Sequence, residues 1–398
     1  MKSKYLLSII SFFVFFTTAF SQNTWLQKNN FGGASRDDGI GFSLNGYGYI
    51  GTGRDAGFWI SDDLWKYDPI ADSWTQKASF TGTRRQYAVG FALFGKGYIA
   101  TGIDFNGTHQ NDIWEYDDAL NQWTQKITLP AAGRMAAVVF VIGQYAYLST
   151  GRTQAGIYLN DCWRFDPAAN AWTQMNSLPI AGICLASSFS CAGSGFVSTG
   201  RDSLNNYNNS CWRFDTASGN WSHMQSLPGV ARIYAEGFSA YSKGYVCTGL
   251  DSSDHYLNDL WEYDATSDTW IQRTSLPSFS RKGTSSFVID NTAYIATGID
   301  SSNTRTNQVW EYMPIVGINE PGKTTVSIFP NPTTGIFRLN GISNFSIEIF
   351  NMQGERVYQS KLINGDAEIN LSQEPAGVYV YKLTSGNGLI HSGKLMKQ

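Results

Sequence analysis

The chain has 398 residues, with 29 basic and 32 acidic side chains, and is 42% hydrophobic but only 15% charged. A net charge of −3 leaves no basic excess to neutralise phosphate, which argues against nucleic acid as a partner, and aromatics at 15% argue against a disordered chain. Forty glycines point to short strands and tight turns, and five cysteines are too few for a disulfide-stapled miniprotein.

Residues 1–21 read as a secretory signal peptide. Lys2 and Lys4 give a positive start, Leu6 to Phe16 form an apolar run, and Ala19-Phe20-Ser21 place small residues for cleavage before Gln22. The run is too short to span a bilayer, and no other run approaches about 20 apolar residues, so no transmembrane helix is expected in the mature chain.

From Gln22 a repeat of 49 residues dominates. Trp25, Trp74, Trp123, Trp172, Trp221 and Trp270 keep this step, as do Trp65, Trp114, Trp163, Trp212, Trp261 and Trp310. Of the tryptophans, only Trp59 is off the grid. Phe42 starts a third series and Tyr49 a fourth, and each member of the fourth is followed by Thr-Gly, from Thr52-Gly53 to Thr297-Gly298. Each unit reads as four strands. In the second these are Tyr87 to Phe94, Gly97 to Thr101, Asp112 to Tyr116 and Trp123 to Lys126, and Leu129-Pro130 ends the unit. Four-stranded units at this period predict a β-propeller. Asn23 to Lys28 contains only a fourth-strand motif, and the last unit, ending at Tyr312, lacks one. Pairing them closes six blades and removes two exposed edges. Full burial of Trp25 would then contribute roughly 4–6 kcal/mol, an upper bound.

The pattern Asn-Asp-x-Trp-x-Tyr-Asp (Asn111 to Asp117), the following Trp123, the Leu-Pro pair and the Arg after it resemble the kelch family over residues 22–313, with Thr-Gly where kelch repeats usually carry Gly-Gly.

Residues 314–325, with Pro314, Gly317, Pro321 and Gly322, read as a linker. Residues 326–398 alternate in short strands and predict a small Ig-like β-sandwich. Pro330 to Gly335, Ile349 to Val357, Pro375 to Tyr379 and Gly393 to Lys397 resemble the type A C-terminal sorting domain of the type IX secretion system. That resemblance implies engagement with the type IX machinery and a secreted or cell-surface destination. The expected fold class is all-β, a six-bladed kelch-type propeller followed by this sandwich.

In a propeller the loops joining strands two to three and strand four to the next blade open on one face. Arg36, Arg85, Arg134, Arg232 and Arg281 stand at the entry to the first strands, with Ile183 at the sixth position. Arg54-Asp55, Asp104, Arg152, Arg201-Asp202, Asp251 and Asp300 follow the Thr-Gly pairs, and Phe58, Trp59, Phe105, Tyr158, Tyr207 and Tyr256 lie beyond. An arginine ring with aromatics suits an anionic or sugar-like ligand. A repeated arginine also suits a scaffold role, bonding to neighbouring loop carbonyls or Asp, and repetition favours the scaffold. Trp59 is either a stacking platform or a lid on its own blade. Glu236 replaces Ile40, Val89, Val138, Ser187 and Ser285 of the other blades. By parity it faces packing with Phe238, where a carboxylate needs a partner or a raised pKa. Arg232 and Arg281 are the expected partners, in an ion pair or an acid/base pair.

His109 and His255 lie in loops of opposite blades, and no His/Tyr/Cys set has the arrangement of a metal site. There is no phosphate loop or nucleophile elbow, so no cofactor is expected. The cysteines read as small buried thiols. The expected function is non-catalytic binding of a glycan or an extracellular protein through the Arg/aromatic rim. Resemblance to six-bladed kelch propellers implies a rival, an isomerase or mutarotase on an acidic sugar with Glu236 as its acid/base group. A purely structural surface module is the third reading.

Overall fold

The computed structural model describes residues 23–314, 327–329, 331–340, 345–352, 354–363, 367–385 and 388–398. The predicted signal peptide and all of the linker beyond Pro314 lie outside the described residues. No helix occurs among the described residues, and none is therefore long and apolar enough to cross a membrane. The chain divides into two compact units, the first ending at 315.

The first unit holds six antiparallel four-stranded blades in sequence order, with first strands at Ile40–Leu44, Val89–Leu93, Val138–Ile142, Ser187–Cys191, Glu236–Ala240 and Ser285–Ile289. Short hairpins join strands one and two. Their central residues, such as Asn45-Gly46 and Phe94-Gly95, take positive φ, the twist that two-residue hairpins need. The sixth blade takes its fourth strand from Thr24–Lys28, paired with Val309–Met313. Trp25 is half-buried rather than buried, so the contribution above is an overestimate for it.

The two tryptophan series have distinct structural jobs. The fourth-strand indoles tie blade to blade: Trp123 donates to Ala78 O, Trp172 to Ile127 O, Trp221 to Asn176 O and Trp270 to Gln225 O, each on the preceding blade. Trp25 Nε1 makes the same bond to Thr274 O at 2.8 Å, across the ring seam. The other series serves the arginine sites described below.

The second unit packs a three-stranded sheet (Ser327–Phe329, Ile336–Asn340, Ala367–Asn370) against a four-stranded one (Phe345–Phe350, Arg356–Ile363, Gly377–Ser385, Gly388–Lys397). Phe337 and Ile369 meet Ile347, Tyr379, Leu383 and Leu395 in its core. Asn331 clamps the terminal strand, donating to Lys394 O and accepting from Met396 N, and Thr333 pairs with Lys397.

Candidate functional site at the channel mouth

The five grid arginines belong to the scaffold, which removes them from the ligand-contact set. Arg85 is 0% exposed. Its guanidinium donates two parallel bonds to Asp112, at 2.5 and 2.9 Å, and others to Thr101 O and Thr83 O. Arg36, Arg134 and Arg232 grip Asp63, Asp161 and Asp259 in the same way. The third-strand tryptophan donates to that Asp, as Trp114 does to Asp112 at 2.7 Å. Every Thr of the Thr-Gly pairs has φ near +60°, which is unfavourable for a β-branched residue. That conformation aims the Thr carbonyl at the guanidinium, while the following Gly N donates to the next blade's carbonyl at the arginine position, from Gly53 to Arg85 O round to Gly298 to Arg36 O.

Blade 4 lacks both halves of the pair: Ile183 replaces the arginine, Ser210 the aspartate, and the indole nitrogen of Trp212 is left buried without a partner. In blade 6 Gln308 replaces the aspartate. Arg281 then bonds to Gln308 and Ser278, and burial pushes its pKa down to about 10.

Inside this frame lies a second ring that the sequence reading missed. Asp38, Tyr87, Ala136, Leu185, Tyr234 and Gly283 are grid-equivalent, and all have positive φ. Each backbone N–H donates to the carbonyl of its counterpart in the preceding blade, at 2.9–3.1 Å for five steps and 3.5 Å from Gly283 to Tyr234. A Cβ on Gly283 would lie 2.5 Å from Asp38 Oδ1, so the glycine makes room for that carboxyl. The ring frames the mouth of the central channel, where two adjoining cavities of about 130 and 200 Å³ share Gly39, Ala88, Ala137, Ala186, Ala235 and Glu236 on their walls. The backbone is uniform here and the side chains are not. The only sequence signal was that one grid position holds five different residue types in six blades.

Glu236 is half-buried on this channel wall. Neither expected arginine reaches it: Arg232 is committed to Asp259 and Arg281 to Gln308 and Ser278. Its bond comes instead from Ser286 Oγ of the next blade, at 2.6 Å to Oε1. Burial raises its pKa to about 7, with the Ser286 bond opposing. Asp38, on the smaller cavity, is also raised well above the usual carboxylate range, by burial first and by the charge of Asp37 second. Arg305 from blade 6 pairs with Asp37 at 2.6 Å, where both are buried.

On the side of blades 2–5, Tyr87, Tyr158, Tyr207, Tyr234 and Tyr256 pack half-buried over an apolar floor of Ala136, Cys184, Leu185, Ile233 and Leu250. The hydroxyls of Tyr87 and Tyr234 stand 3.4 Å apart, and Lys282 Nζ lies 4.8 Å from the Tyr234 ring centre. The structure therefore gathers Tyr158, Tyr207 and Tyr256 with Tyr87 and Tyr234. Trp59 lies apart from them on an outer loop, 66% exposed, stacked on Phe105 with ring centres 6.3 Å apart. The loop aspartates hold their own turns, as Asp104 Oδ1 does by accepting from Asn106 N and Thr108 N. All five cysteines are buried and free, and no group of three metal-ligating side chains occurs among the described residues.

The family model for the Attractin/LZTR1 beta-propeller matches residues 97–308, and that for the secretion system C-terminal sorting domain matches residues 327–398. None of the curated proteins is a match. Among solved structures, that of YjhT is similar in fold, with a TM-score of 0.61 and 17% identity over 71% of this chain and 95% of that one. The sorting domain marks a protein secreted or held at the cell surface through the type IX pathway. With more than half of its residues matched, the chain belongs to the Attractin/LZTR1 family of kelch-type β-propellers.

Proposed function

We propose that this secreted propeller is a binding module that seats a glycan at the tyrosine side of its channel mouth. The observation that carries the reading is the asymmetry of that mouth. Scaffold positions repeat around the ring, whereas the five tyrosines gather on blades 2–5 over one apolar floor and are absent from the equivalent positions of blades 1 and 6. Flat rings with hydroxyl tips suit sugars, stacking on C–H faces and bonding to hydroxyl groups. A glycan array probed with the full chain is expected to show a selective set of bound glycans. Tyr234→Ala is expected to weaken binding at least about tenfold, the scale of one lost stacking and hydrogen-bonding contact. If the array stays empty, the glycan reading is lost, and an extracellular protein partner or a purely structural role takes its place.

Glu236 favours a second reading, acid/base catalysis on an acidic sugar. It is a carboxylate on a cavity wall with a pKa near neutrality, and a second raised acid, Asp38, lines the same cavity. Such a shift has a consequence for stability. A carboxyl raised in the folded state supports folding below its unfolded pKa, and that support is lost as pH rises from about 4.5 through about 7. Glu236→Gln keeps an acceptor for Ser286 and removes the titration. It is therefore expected to raise stability by about 1–3 kcal/mol at pH 8 and to change little at pH 4, in urea titrations at both pH values. The catalytic reading further requires that wild type accelerate anomer exchange of a uronic acid, followed by NMR, and that Glu236→Gln abolish it. Equal exchange with and without wild-type protein removes this reading.

A further inference from the structure

The mouth holds two arginines whose counter-charge is missing. In blade 1 a two-residue ladder sets Asp37 opposite Arg54. The equivalent ladders set Met135 opposite Arg152 in blade 3 and Cys184 opposite Arg201 in blade 4. The arginine is kept and the carboxylate is replaced by an apolar side chain or a thiol. Both Nε atoms are buried with no hydrogen-bond partner, although the side chains as a whole are only half-buried. Arg201 donates from Nη1 to Asn205 at 2.7 Å, and Arg152 lies beside the Tyr158 ring at 5.8 Å.

The surroundings do not supply the missing charge. Neither arginine has an ion pair among the described residues. Asp202, next in sequence to Arg201, is spent on its own loop through Leu204 N, Asn206 N and Asn206 Nδ2. Asp104 is spent in the same way on Asn106 and Thr108. The charge of Arg201 is felt at Tyr234, which lines the cavity, and that of Arg152 at His109. Both ring nitrogens of His109 are buried and unpartnered, and burial together with Arg152 pushes its pKa down, so at neutral pH it offers one N–H donor and one acceptor.

We propose that Arg152 and Arg201, with His109 beside them, form an anion subsite that receives a carboxylate or phosphate group of the ligand held at the tyrosine mouth. The ligand would supply in blades 3 and 4 the negative charge that Asp37, itself ion-paired with Arg305, brings near Arg54 in blade 1. Two guanidinium groups on adjacent blades suit a planar or tetrahedral oxyanion, through hydrogen bonds strengthened by charge. The proposal deepens the glycan reading by giving the ligand a charged group, and it rests on that reading only for the remainder of the ligand.

Titration calorimetry of the full chain with D-glucuronate, D-glucose and inorganic phosphate tests it. Glucuronate is expected to bind at least about tenfold tighter than glucose, phosphate to bind measurably, and both anion effects to vanish in R152M/R201M. Methionine is the residue already present at 135 and preserves an unbranched apolar stem. If that double variant does not fold, the salt dependence in wild type decides, since the preference for glucuronate should fall toward parity as NaCl is raised from about 50 to about 500 mM. Equal affinity for glucuronate and glucose overturns the anion subsite and leaves the glycan site standing. Binding of neither anion also overturns it, and the array then judges the glycan site alone. Anion binding that persists in the folded double variant overturns the assignment to these arginines.

Discussion

Arg85→Ala is expected to destabilise the propeller by about 3–5 kcal/mol, measured as a shift in the urea midpoint followed by tryptophan fluorescence. The substitution leaves Asp112 without its counter-ion and strips donors from Thr101 O and Thr83 O, in a site where the arginine is fully buried. The cost lies mainly in the abandoned carboxylate, and blade 4 shows how to avoid it. There the arginine and aspartate positions are Ile183 and Ser210; nearby, Ser187 donates from N to Thr199 Oγ1 and from Oγ to Ser198 O, and Ser198 Oγ donates to Ser210 O. Arg85→Ile combined with Asp112→Ser should therefore recover most of the loss, to within about 1–2 kcal/mol of wild type, because removing both members of a buried pair costs far less than removing one. A double variant as unstable as Arg85→Ala would show that the guanidinium acts through packing instead. The converse change is Gln308→Asp, which gives Arg281 the partner its four counterparts have. The added carboxylate should offset the cost of burial that holds Arg281 at about 10 and add about 1–2 kcal/mol.

The second large effect lies at the seam. Deleting Asn23–Lys28 removes a five-pair ladder from Val309–Met313, the bond from Trp25 to Thr274 and the bond from Tyr312 Oη to Asn23. It leaves an open strand edge on the sixth blade, which invites pairing between molecules. The deletion is expected to lower the melting temperature by more than about 10 °C and to produce higher-order species in size-exclusion chromatography. Trp25→Ala alone should cost about 2–3 kcal/mol, below the 3–5 of a fully buried tryptophan because Trp25 is half-buried. Trp59→Ala, on an exposed loop, should stay within about 0.5 kcal/mol and serves as the control. A truncated chain that melts and elutes with wild type would mean that the ring does not depend on its N-terminal strand.

Much of the arginine chemistry was present in the sequence without being drawn out. Four of the five arginines have an aspartate 27 residues later, Arg281 having Gln308 instead, and both members change together in blade 4. That joint substitution signals a pair, but it marks contact only once the intervening hairpin is known to fold back. Glu236 was visible as an outlier, and its place on a first strand was right. Its partner was not, because strand parity says which way a side chain faces and leaves open which neighbouring groups are already taken. Asp38, Tyr87 and Tyr234 escaped notice because nothing about their residue types stands out.

The sequence alone determined the periodic part of this protein: six blades, the fourth strand borrowed from near the start, and a second all-β domain with the sorting motifs. Periodicity carries that information because every blade must bury the same faces against the next, so packing repeats residue types at a constant step. Only the tertiary structure decided which of the repeated groups are free to meet a ligand. An arginine whose hydrogen bonds and charge are met inside its own blade looks the same in sequence as one facing an uncompensated mouth. Burial and the neighbours brought together across blades distinguish Arg85 from Arg152 and Arg201.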